Sequence, residues 1–417
     1  MKNTYLYLIV AFLITACTSQ QKGQSAANIN TPSLLGRWVV NMDLGNGEYL
    51  PFELNFESES SAKIINGDEN IFLQDITRQG DSIFISLPVF DSEIKAKLVA
   101  DKTMTGAWYN HAKGANYKIL FTADRSDQPR FSFESNKESS IAFTGQKWQV
   151  TFSPNTDDSY DAIGVFKEDS EGRLSGTFMT ETGDYRYLSG NRSGNEIMLS
   201  CFDGSHAFLF SGTIDDKNKI SGVFCSGTHW KEPWKAVQND DVELADPYEL
   251  TYLKEGYESV TFQFPDLDST IVSYPNQAQE GKVVLVQVIG SWCPNCMDET
   301  RLLNNLIEKY PNSQLEVIGL CFEVPNDFND AVRNIRRMQA SLDVKYTLLY
   351  AGKASKSEAA KKLPMLNHIM SYPTLIFIDK KGTIRKIHTG FYGPGTGERY
   401  NQTVSEFTSL LDQLINE

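Results

Sequence analysis

The run VVLVQVI, residues 283–289, is apolar on both faces of any strand it could form, with Gln287 its one polar break. Bounded by Lys282 and Gly290, it fits a strand buried on both sides, the kind that lies at the centre of a sheet covered by helices. SWCPNCMDETRLLNNLIEKY follows directly. Its pattern predicts a helix from Pro294 to Tyr310, with Leu303, Leu306, Ile307 and Tyr310 on one apolar face. The alternation continues through LEVIGLCFE, DFNDAVRNIRRMQASLDV, YTLLYAG, SKSEAAKKL, TLIFID and RKIHTGFY to a closing helix from about Thr403 to Asn416. Strands and helices in this order define an α/β domain over 257–417.

Two cysteines sit where the buried strand gives way to the helix. Cys293 would stand at the helix N-terminus, with Pro294 in the first turn, where its missing N–H costs nothing. Unpaired backbone donors and the positive end of the helix dipole favour a thiolate there, and the thiolate is the reactive form. Trp292 would partly cover the site. Cys296, one turn along, is placed to attack a mixed disulfide. A zinc site would need a second ligand pair, and none follows at ribbon or finger spacing; no metal is expected. Cys321 lies within an apolar strand and reads as packed core. GFYGPGTG (390–397) has no Lys-Ser/Thr after it and no helix beginning directly behind it, so it reads as a plain loop. His368 and His388 have no partner in view and read as structural.

From Gly36 to about Val237 the pattern changes to short alternating runs (YLPFELNF, SIFISLPVF, EIKAKLVA, HAFLFSGTI) broken by Gly, Asp and Asn. The segment repeats itself. GRWVVNM at 36 returns as QKWQVTF at 146, GDSIFIS at 80 as GNEIMLS at 194, and TGAWY at 105 as SGVFC at 221. An offset of about 110 residues is too long for a solenoid and points to a tandem duplication. Two similar antiparallel β modules, 34–128 and 129–237, are expected, packed as a sandwich or a barrel-like pair. Against the first copy, Cys201 and Cys225 fall on Leu87 and Tyr109 and read as core-filling thiols on strands separated by a third, with a disulfide if the sheet curls, or a metal role beside His206 and His229, as alternatives. FDGSH (202–206) reads as a tight turn. DDVELADPYELTYLKEG is acidic, carries a proline and a short helical stretch, and reads as a connector over 238–256.

The first residues, MKNTYLYLIVAFLITAC, carry a lysine, a short apolar core and small residues before Cys17, the layout of a secretory signal over 1–16. The apolar core is too short to span a bilayer. ITAC resembles the lipobox of bacterial lipoproteins, which implies that Cys17 is lipidated and anchors the chain to a membrane surface through a polar tether, 17–33. A formal net charge of −14 argues against nucleic acid as a partner, because phosphate binding needs a basic face. Six cysteines in 417 residues are too few for a disulfide scaffold, and in an exported protein a disulfide can persist.

VVLVQVIGSWCPNCMDE (283–299), SYPTLIFIDKKG (371–382) and the leading hairpin FPDLDSTIVS (264–273) resemble the thioredoxin superfamily, and more closely the TlpA and ResA-like thiol–disulfide oxidoreductases of the bacterial cell envelope. The resemblance covers about 260 to 417. It implies a thioredoxin-like fold, Cys293 as nucleophile, Cys296 as resolving cysteine and a Cys293–Cys296 redox disulfide. Pro373 matches the cis-proline that faces the pair and holds the substrate backbone. Tyr372, Trp292 and Pro294 would border the substrate. Glu299 matches an acidic residue thought to assist proton movement, with burial raising its pKa.

Two positions depart from the pattern. Gln287 stands where thioredoxin has a buried Asp, and Arg301 where TlpA relatives have a proline, which leaves the burial of Glu299 open. Peroxiredoxins share the fold but place a Thr three residues before the reactive Cys and a Pro further back; here those positions hold Gly290 and Val286. The resemblance implies no cofactor. Its partners would be disulfide-containing envelope proteins and a membrane electron donor. Protein-disulfide reduction is the leading expectation. Disulfide oxidation or isomerisation by the same dithiol, and a lipid-anchored binding protein with a scaffold thioredoxin fold, stand as alternatives.

Overall fold

The computed structural model describes residues 32–133, 143–310 and 314–417. Cys17 and the 1–16 signal lie outside them, as does the tether up to residue 31. Among the described residues no helix is long and apolar enough to cross a membrane.

Among the described residues, the N-terminal half holds two nine-stranded antiparallel sheets. Both carry a tryptophan on their first strand, Gly36–Gly45 and Lys147–Phe152. Trp38 and Trp148 are fully buried, and each indole N–H turns back on the chain just before its strand, to Leu34 O at 2.7 Å and Phe143 O at 3.3 Å. In each sheet the first strand lies beside the last, Lys118–Arg125 in one and Trp230–Gln238 in the other. The copies differ at one seam. In the second, Arg173–Thr180 pairs with Tyr160–Glu168 on one side and Leu188–Ser193 on the other, which closes the sheet into a barrel. In the first, Glu69–Leu73 and Ile76–Gln79 remain as two edges. The fold is thus a large β-rich region with barrel-like sheets, followed by a domain of mixed strands and helices.

Glycine lets neighbouring strands approach closely at the repeated position in both sheets. A Cβ at Gly222 would lie 2.1 Å from Ser211 O, and one at Gly106 2.3 Å from Lys95 O. Gly222→Ala is expected to cost about 1–3 kcal/mol through overpacking, read from urea unfolding. Wild-type stability in that variant would mean the strands separate freely here.

Cys201 and Cys225 are free and buried. Their register explains why they stay apart. Cys201 sits opposite Phe208 and Cys225 opposite Leu209, and neighbours on one strand face opposite sides of a sheet. Cys201 therefore packs inside the barrel, while Cys225 packs outside it against the first module. The modules meet through this outer face: Ser200 Oγ donates to Pro51 O at 2.5 Å and Asn66 Nδ2 to Phe202 O at 2.9 Å.

The C-terminal part is built on a five-stranded sheet in the order Thr347–Lys353, Leu315–Glu323, Val283–Ile289, Thr374–Ile378, Ile384–Thr389. The first three run parallel and the last two antiparallel. Every residue of Val283–Ile289 is buried, as expected for the central strand. Helices α1 (Pro294–Lys309), α2 (Phe328–Leu342), α3 (Lys356–Lys362) and α4 (Glu398–Asn416) complete the domain.

Two expectations need correction. α4 begins at Glu398, directly behind GFYGPGTG, not near Thr403. Its first turn carries no capping side chain: Gly397 is the N-cap, with φ +64°, so no Ser, Thr or Asp marked the start. The 238–256 segment contains no helix. Asp246 Oδ1 accepts the Tyr248 N–H at 2.9 Å and turns the chain. Thr251 is buried and bonded to Thr389 Oγ1 at 2.8 Å, and Leu253 bridges to Leu366. Partners on the sheet domain hold this stretch extended, which outweighs its local helical pattern.

Candidate redox site

Cys293 is the N-cap of α1, in extended conformation, and its Sγ accepts the Cys296 N–H at 3.2 Å. That is the arrangement in which a free backbone donor and the helix dipole act on the sulfur. Pro294 opens the helix. Cys293 and Cys296 are joined as a disulfide. The Tyr372–Pro373 peptide bond is cis, and Tyr372 O lies 3.5 Å from Cys293 Sγ. Trp292 stands edge-on to Tyr372, ring centroids 5.4 Å apart, with its N–H on Phe322 O at 2.9 Å. Trp292, Cys293, Pro294, Cys296, Tyr372 and Pro373 are thus brought to one place.

Glu299 lies three residues after Cys296, on the same face of α1, and is fully buried. Arg301, in place of proline, leaves α1 continuous and bonds Asp298 at 2.8 Å. Burial pushes the Glu299 carboxyl up to about 8, against the opposing pull of the Gln287 amide, whose Nε2 donates to it at 2.8 Å. Its Oε1 has no hydrogen-bond partner among the described residues. Gln287 accepts from Tyr346 OH at 2.7 Å. A hydrogen-bonded chain, Tyr346–Gln287–Glu299, therefore joins the central strand to α1.

Two further groups were not singled out from the sequence. Glu323 ends the strand beside the central one and is fully buried. It accepts from the Ser291 N–H at 2.8 Å and the Ser291 hydroxyl at 2.5 Å, which pins the turn entering Trp292–Cys293. Burial lifts its carboxyl to about 7, and the Ser291 bonds oppose this. Arg186, from the barrel, is only 4% exposed. It pairs with Asp298 of α1, with Glu69 at 2.7 Å and with Asp203 at 3.7 Å. Neither had a local signal, because the partners of each are distant in sequence.

Of the remaining candidates, FDGSH bonds to the segment that carries the cysteine pair. His388 is buried between Tyr248 and Phe407, with Nδ1 3.0 Å from Gly390 O, and burial lowers its pKa to about 4. His368 is exposed and Cys321 is buried and free. FDGSH is a tight turn in which Asp203 Oδ1 accepts two backbone N–H groups, and it also reaches the site: Ser205 Oγ donates to Trp292 O at 3.1 Å.

Sheet order, cis-proline loop and helix-capping disulfide define a thioredoxin-like domain. Residues 256–387 match the model of the AhpC/TSA family. A curated relative is the thioredoxin-like protein YneN of Bacillus subtilis (strain 168), 25% identical over 138 residues, which are 33% of this chain and 73% of that protein. Two solved structures are also similar. A thiol-disulfide isomerase from Corynebacterium glutamicum is 20% identical, covering 40% of this chain and 97% of that one, with a TM-score of 0.28. A thiol-disulfide oxidoreductase from Bacteroides fragilis is 17% identical, covering 35% and 99%, with a TM-score of 0.27. The threonine of a peroxidase has no room here: a Cβ at Gly290 would lie 2.2 Å from the Trp292 indole nitrogen.

Proposed function

We propose that this chain is a lipid-anchored protein of the cell envelope whose dithiol reduces disulfides of partner proteins. The observation that carries the reading is Cys293 Sγ capping α1 beside the cis-Pro373 loop. The Cys293 thiolate attacks one sulfur of the client disulfide, forming a mixed disulfide and releasing the other sulfur as a thiolate, which takes up a proton. Cys296 gives its thiol proton to the ionised form of Glu299, whose carboxyl is pushed up to about 8 by burial. The Cys296 thiolate then attacks Cys293 Sγ, the client leaves with two electrons, and the Cys293–Cys296 disulfide remains. Trp292, Pro294, Tyr372 and Pro373 border the client segment. A membrane donor returns the electrons, and Cys17 holds the protein at that surface.

Reduced wild type is expected to cleave a small aromatic disulfide while Cys293→Ser falls to the blank rate. Cys296→Ser should stall as a covalent adduct visible by mass spectrometry. Wild-type turnover by Cys293→Ser would end the proposal. A reduction potential near about −270 mV supports a reductant, whereas one near about −120 mV favours an oxidant.

A further inference from the structure

The groove that a client needs is filled by the chain itself. Cys293 is 5% exposed and Cys296 fully buried, yet exchange with another protein needs an open approach to the attacked sulfur. The turn that joins barrel strands Arg173–Thr180 and Leu188–Ser193 lies against both segments that flank the sulfurs. Thr182 O accepts from Ser371 Oγ at 2.7 Å, next to the cis-proline loop, and Asp184 O accepts from Asn295 Nδ2, between the two cysteines, at 3.2 Å. The fit is close. A Cβ at Gly390 would lie 2.8 Å from the Thr182 carbonyl carbon, and one at Gly183 2.2 Å from Asn295 Nδ2. Both hydrogen bonds use backbone carbonyls, which any extended chain can offer. Arg186 fastens the far end through its ion pair with Asp298, two residues beyond Cys296.

We propose that Thr180–Arg186 is a strap seated in the client groove and held by Arg186–Asp298, and that a protein client reaches Cys293 only as an extended cysteine-bearing segment that displaces it. The proposal rests on the oxidoreductase reading of the same site. Small disulfides need less of the groove and feel the strap less. While seated, the strap lowers apparent affinity for a protein client by the fraction of molecules in which it is lifted.

Full-length Gly183→Leu tests this. Gly183 has φ +137° and no space for a side chain, so leucine unseats the turn without touching either cysteine. Reduction of insulin disulfides by the reduced variant is expected to rise about tenfold or more over wild type, the small aromatic disulfide changing by less than about threefold. Equal or unchanged rates on both substrates would overturn the strap. Turnover of neither substrate by either protein would instead sink the oxidoreductase reading. A second measurement is independent of turnover and of that variant's folding. In Cys296→Ser carrying a cysteine peptide trapped on Cys293, the amides of 180–186 should lose hydrogen-exchange protection relative to the untrapped protein. Protection retained in the adduct would refute displacement.

Discussion

Glu299→Gln is expected to slow disulfide exchange by about 10²-fold at neutral pH, the usual scale for loss of a positioned proton-transfer group, and to erase a break near pH 8 in the rate profile. The side chain is fully enclosed and its carboxyl is pushed up to about 8 by burial. At neutral pH most of it is protonated and the ionised part accepts the Cys296 proton; that part grows as pH rises through about 8, where the rate levels off. The same shift sets a stability trend. An ordinary carboxyl, near 4.5, is already ionised in the unfolded chain across the window in which the folded one holds its proton. The folded state therefore loses stability as pH rises from about 4.5 to about 8, and the loss levels off above that. Glutamine removes this contribution, so the variant should gain on wild type as pH rises. The slope left by Glu323, lifted to about 7, should end near that pH. pH-dependent unfolding and a pH–rate series on both proteins measure these effects together. A variant with the wild-type rate and the wild-type break would remove Glu299 from the chemistry.

Arg186→Met should destabilise the protein by about 3–5 kcal/mol, because it leaves buried carboxylates without their cation. Asp298, Asp203 and Glu69 all face that guanidinium. Asp298 keeps Arg301 at 2.8 Å and Glu69 is partly exposed, so the buried Asp203 loses most. Methionine preserves much of the volume, which separates the charge effect from a cavity. Denaturant unfolding at pH 7 gives the magnitude. An unchanged midpoint would show that the arginine is not what joins the barrel to α1.

The redox stretch was legible because its parts are contiguous. A strand buried on both faces, a proline at the first helical position and an apolar face on α1 each signal themselves locally. The duplication was legible because Trp38 and Trp148, and Gly106 and Gly222, meet the same steric demand in each copy. Arg186 was not. Nothing near YRYL marks an arginine as buried, and Asp298 reads locally as a solvated helical residue. Glu323 hid for a similar reason, since an acidic residue ending an apolar strand usually marks the exit to solvent. α4 was placed late because a glycine N-cap gives no polar signal. The 238–256 segment misled in the opposite sense, its helical pattern being overridden by Thr389 and Leu366.

The barrel seam has a mechanical consequence. Arg173–Gly176 is laced to Leu188–Asn191, and both strands run straight into the turn Thr180–Arg186. Tension therefore travels in both directions: a chain pulling the turn away loads the lacing, and slack in the lacing frees the turn. The first copy, unlaced at the corresponding place, has no such drawstring.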